Sequence, residues 1–139
     1  MVITVCSQAE ALELVKRVRK ETAVISITSL EEDDVVFPEN SYITSVLRLK
    51  FNDLTEEYDE EGIPYGRPLP KQEDFNGLKK FVTGLSREDL IIHCWEGTSR
   101  SAAVAKAIYE SRGSRDVLQT REKYAPNPLV YILACRELG

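Results

Sequence analysis

The sequence predicts a single α/β domain over residues 1–139, built on a central, mainly parallel sheet flanked by helices. Three observations predict it. Short β-rich apolar runs alternate with stretches of helical periodicity along the chain. The run Ala23–Thr28 is apolar at nearly every position, as in a strand covered on both faces. The length, 139 residues at 42% hydrophobic content, suits one domain with a real core.

The elements follow in order. Val2–Val5 reads as a first strand. Ser7 then offers a helix N-cap with Glu10 three residues on, a capping box, and Ala11, Leu12, Leu14, Val15 and Val18 form one apolar face to about Arg19. Ala23–Thr28 is the second strand. Residues 30–40 are acidic and hold Pro38, a surface loop, and Thr44–Phe51 is the third strand. Residues 52–72 carry six acidic residues from Asp53 to Glu61 and then three prolines, a segment long enough to suggest a functional loop. Phe75, Leu78, Val82 and Leu85 have helical spacing, closed near Gly84. Leu90–Cys94 is a fourth strand, running through a short loop into an Ala-rich helix from Ser101 to about Arg112, closed by Gly113. Asn127 and Pro128 are a good N-cap and N1 pair for a last helix ending near Leu138. The expected order is β-α-β-β-α-β-α-α, with right-handed parallel connections and the functional site beyond the carboxyl ends of the strands.

Counts of rare residues exclude several chemistries. Three cysteines (Cys6, Cys94, Cys135) cannot all pair within the chain, and no C-x-x-C occurs, so neither a zinc ribbon nor a dithiol redox motif is expected. One histidine, His93, excludes multi-histidine metal sites. The net charge of -5, without a basic run, weighs against nucleic acid and anionic membranes as partners. No apolar run suits a signal peptide or a spanning helix, which gives the expectation of a soluble, cytoplasmic protein.

The chemistry concentrates in His93-Cys94-Trp95-Glu96-Gly97-Thr98-Ser99-Arg100-Ser101. A tight loop from a strand into a helix N-terminus turns successive N–H groups inward as an anion nest, and the helix dipole adds positive character there. Gly97 permits a backbone conformation that a side chain penalises. Arg100 offers a planar fork for two oxygens of a tetrahedral anion. Cys94 lies at the base of the loop, where such surroundings favour a thiolate. The Ser101 hydroxyl can donate to the sulfur. The whole reads as a phosphate cradle with a nucleophile at its floor. His93 alternates to the opposite face of the strand, so its role is structural support of the loop. Cys6 and Cys135 read as structural thiols, with a backup-thiol role as the alternative for either.

The segment resembles the H-C-x5-R-[S/T] signature of the cysteine-dependent tyrosine and dual-specificity protein phosphatases, and Ser99-Arg100-Ser101-Ala102 is similar to the dual-specificity branch. The resemblance implies a dual-specificity phosphatase-like fold, no metal or other cofactor, and hydrolysis of a phosphomonoester through a phosphocysteine on Cys94. Residues 95–100 would hold the phosphate. A general acid is required on a movable loop, and Asp53, after the strand Leu47–Phe51, fits the family's arrangement best; Glu56, Glu57 and Asp59 are rivals. The implied partner is a phosphoprotein or a small phosphomonoester. Without lysine, the loop is poorly suited to a polyphosphorylated substrate. The competing readings are a non-catalytic phosphate-binding module and a rhodanese-like thiol enzyme.

Overall fold

The computed structural model describes residues 1–139. Five strands, β1 (Val2–Ser7), β2 (Thr22–Thr28), β3 (Ile43–Lys50), β4 (Asp89–Cys94) and β5 (Val117–Gln119), form one sheet in the order β3-β2-β4-β1-β5. Every pairing is parallel. The helices are α1 (Gln8–Arg17), α2 (Leu78–Thr83), α3 (Arg100–Ser111) and α4 (Pro128–Leu138). None is long and apolar enough to cross a membrane.

The alternation of side chains along the strands explains the two layers. Val24, Ile91 and Cys6 point to one face, where Ala11 and Val15 of α1 cover them. Ile3, Ile25, Ile92 and Cys94 point to the other, into the main core with Phe75, Leu78, Ile108 and Val130. All seven residues of β2 are buried, as its apolar sequence requires. Ala102, Ala103, Ala105 and Ala107 are buried on α3, where small side chains let the helix lie close to the sheet.

Sequence expectation and structure differ at four places. β5 is an unexpected fifth strand. It has only three residues, and Val117 is exposed, so the run carries no periodic signal. The expected helix from Phe75 is split into a 3-10 turn (Gln72–Phe75) and the shorter α2, because Gly77 at φ +90° interrupts the ladder. α1 stops at Arg17, short of Arg19. Residues 52–72 are more ordered than their composition suggests. Tyr58 and Pro64 bridge a small hairpin, with the Asp59 carboxylate accepting from the Glu61 and Ile63 N–H groups at 2.9 Å each. Asn52, buried, ties the segment's two ends by donating to the Pro68 carbonyl at 3.1 Å.

Topology positions the site. β1 and β4 are neighbours whose connections leave in opposite directions: β1 passes through α1 to β2, and β4 through α3 to β5. Such a reversal opens a crevice outside the carboxyl ends of the two strands.

Candidate active site

Residues 95–99 fill that crevice. Gly97 adopts φ +77°, and a Cβ there would stand 2.3 Å from the carbonyl carbon of Cys6 and 2.5 Å from the Ser7 nitrogen. The loop therefore lies against the end of β1, where only glycine fits. Four of its five carbonyls accept hydrogen bonds from neighbouring residues. Trp95 O accepts from Gln8 N–H at 3.2 Å, Thr98 O from Ala125 N–H at 2.9 Å, and Ser99 O from Asn127 N–H at 3.2 Å and Ala103 N–H at 3.0 Å. Glu96 O accepts from the Arg121 guanidinium. The N–H groups of Trp95, Glu96, Thr98 and Ser99 have no protein partner, and Gly97 N–H donates to Cys94 Sγ at 3.3 Å. Unpaired N–H groups at successive positions of a strand-to-helix loop are what an anion nest requires.

Cys94 is 2% exposed at the end of β4, with Ser101 Oγ 3.0 Å from its sulfur. Arg100 is buried at the first position of α3. One Nη donates to Ser29 Oγ at 2.9 Å and to Phe51 O at 3.1 Å, which fixes the plane of the guanidinium. Its Nε is buried and has no partner in the protein. A buried charged donor left unpaired is costly, and an anion in the cradle would pair it. Ser29 is itself held, its N–H donating to Glu32 Oε1 at 2.6 Å.

Asp53 meets the loop directly. Its Oδ1 accepts from Ser99 Oγ and from Asn127 Nδ2, each at 2.8 Å. Asp53, Cys94, Trp95, Glu96, Thr98, Ser99 and Arg100 line one cavity of about 200 Å³. The rivals lie outside it: Asp59 caps its own hairpin, and Glu56 and Glu57 are exposed. Trp95 is 60% exposed at the rim, not packed in the core.

His93 is fully buried on the other face of the sheet. One ring nitrogen lies 2.7 Å from Ser26 Oγ and the other 3.2 Å from Cys94 O. A ring N–H toward the carbonyl and an acceptor toward the hydroxyl satisfy both contacts, so the ring steadies the backbone of Cys94. Burial, reinforced by the charges of Arg100 and Arg48, pushes its pKa below the usual 6.5; the bond to Cys94 O opposes this. The unfolded chain therefore holds more protons than the native one below about pH 6.5, and stability falls as pH drops through that value. As the only histidine, His93 gives a clean test. The urea midpoint is expected to fall between about pH 7.5 and 5.5, and His93→Gln to flatten that slope. An unchanged slope in the variant would assign the dependence elsewhere.

Cys6 is in register with His93, whereas Cys94 is in register with Ser7, so Cys6 and Cys94 point to opposite faces. Burial first, then the charges of Glu10 and Cys94, push the Cys6 thiol up to about 12. Its side chain packs with Ala11, Val15, Val24 and Ile91 on the face away from Cys94. Cys135 is a partly buried thiol on α4 packed against the main core.

Three contributors were not identified from sequence: Ser29, Arg121 and the second contact of Asn127. Ser29 had a usable signal, since it directly follows the carboxyl end of a strand adjacent to the signature strand. Arg121, paired with Glu10 at 3.2 Å, had none. Comparison with protein-family models and with curated proteins returned no match, so the reading of this site rests on its own geometry.

Proposed function

We propose that the chain is a phosphomonoester hydrolase that acts through a phosphocysteine at Cys94. One observation carries the reading: residues with unpaired backbone N–H groups, the unpartnered Nε of Arg100, a buried thiol and a carboxyl belong to the lining of one cavity. The resemblance of residues 93–101 to the tyrosine and dual-specificity phosphatase signature supports it.

The steps use these groups alone. The Cys94 sulfur attacks phosphorus as the bond to the leaving oxygen breaks, and Asp53 gives its proton to that oxygen. A water then attacks the phosphocysteine, its proton passes to Asp53, and the P–S bond breaks while Ser101 O–H donates to the departing sulfur. Charge spreads over the equatorial oxygens in both transition states, where the N–H groups and Arg100 stabilise it. The substrate is a phosphoprotein or a small phosphomonoester. Loop side chains Trp95, Glu96, Thr98 and Ser99 add no positive charge for a polyanion.

The test is hydrolysis of p-nitrophenyl phosphate in a chelator, with vanadate as competitive inhibitor and a radiolabelled phosphate trapped on Cys94 by acid quench. A thiosulfate sulfurtransferase rate above the phosphatase rate would overturn the reading. For Asp53→Asn, kcat is expected to fall about 10²-fold or more with KM and vanadate affinity nearly unchanged. A comparable fall in Glu56→Gln, Glu57→Gln or Asp59→Asn, and not in Asp53→Asn, would move the acid to that residue.

A further inference from the structure

We propose that Asn127 is the positioning residue for the general acid, fixing both the place of Asp53 and which of its oxygens carries the proton; this rests on the phosphatase reading above. Asn127 is 4% exposed and joins three parts of the fold. Its Oδ1 accepts from Val130 N–H at 3.0 Å, capping α4. Its Nδ2 donates to Asp53 Oδ1 at 2.8 Å and to Leu54 O at 3.2 Å. Its backbone N–H donates to Ser99 O in the cradle loop at 3.2 Å.

Capping alone does not require this residue. A helix N-cap needs one acceptor, which Ser, Thr or Asp supplies as well. Asn adds an NH2 group on the other side, and both of its hydrogens are used, one on the acid and one on the next carbonyl. The amide orientation follows from its surroundings. Oδ1 faces an N–H, and Nδ2 faces a carboxylate and a carbonyl; the reverse would place like against like. Leu54 is buried but Asp53 is exposed, so these two bonds moor an otherwise free carboxyl. Among protein groups, the other hold on Asp53 is the Ser99 hydroxyl at 2.8 Å.

The bonds also select an oxygen. Two donors, from Ser99 and Asn127, converge on Oδ1, which leaves it no room for a proton of its own. The acid form therefore carries its proton on Oδ2, which makes no bond to the protein and is free to meet the leaving oxygen.

The test separates positioning from capping. Asn127→Ser keeps a cap acceptor and removes the amide donor. It is expected to fold with a nearly unchanged melting temperature. Its kcat on phenyl phosphate, a poor leaving group, should fall about tenfold while dinitrophenyl phosphate and KM are nearly unaffected. Added to Asp53→Asn, it should cost nothing further, because it acts through that residue. Asn127→Asp, also a good cap, sets a second carboxylate against Asp53 and should move the alkaline limb of the kcat profile upward; it serves if the Ser variant is poorly folded. An equal fall for both leaving groups, a loss additive with Asp53→Asn, or an unmoved profile in Asn127→Asp overturns the proposal while leaving the phosphatase intact. Wild-type protein without Cys94-dependent hydrolysis overturns both.

Discussion

Cys94→Ser is expected to abolish turnover, with a loss on the order of 10⁴-fold or more, while vanadate and phosphate still bind. The substitution keeps size and hydrogen bonding, since Gly97 N–H and Ser101 Oγ lie on the side chain at 3.3 and 3.0 Å and can serve an oxygen as they serve sulfur. What it removes is the sulfur that the proposed mechanism uses as nucleophile. A serine here has no base to activate it, because Asp53 serves as the acid in that step. The chain's one imidazole is committed on the opposite face of the sheet, to Ser26 and to Cys94 O, and cannot reach the cradle. Steady-state kinetics with a vanadate-binding control make the measurement. Appreciable turnover in this variant would end the phosphocysteine mechanism.

Gly97→Ala carries the second-largest expected effect. At φ +77° an alanine is strained, and its Cβ would meet backbone atoms of Cys6 and Ser7 at 2.3 to 2.5 Å. Those atoms lie where β1 pairs with β4, Cys6 against His93 and Ser7 against Cys94, so the strand holds and the loop must move. Rotating the loop withdraws the Gly97 N–H and disturbs its neighbours. Loss of one such donor typically lowers kcat by about 10²–10³-fold, and the expected fall is of that size. Overpacking together with the strained φ should also cost about 2–3 kcal/mol of stability, read from the urea midpoint. Gly62→Ala is the control. It shares a positive φ, +80°, in open space on the hairpin, and should show strain without loss of activity. Wild-type turnover in Gly97→Ala would mean that the loop does not depend on this close approach.

Much of this was legible in the sequence because local chemistry and fold agree there. The apolar run of β2, the capping box at Ser7 and Glu10, and Asn127 before Pro128 each fix an element without distant help. The candidate site was legible for the same reason: its cysteine, glycine and arginine lie within seven consecutive residues, Cys94–Arg100. Asp53 came from the resemblance, and the structure brings it to the cradle through Ser99. What the sequence could not convey was pairing at a distance. β5 exists only because β1 offers it an edge, and Ser29 reaches Arg100 only because β2 lies beside β4. Asn127 was half legible. Its acceptor announced a cap, but its donor pointed to a residue 74 positions away.

The close approach of Gly97 to Cys6 has a consequence for how the protein matures. The cradle's outer wall is the first strand of the chain, and its lining is encoded some ninety residues later. Parallel pairing across that separation is a slow, non-local step. A nascent chain can therefore carry the complete signature and still lack the wall against which Gly97 packs until β1 inserts between β4 and β5. On the function proposed above, a bound oxyanion would hold that insertion in place and stabilise the sheet by mass action.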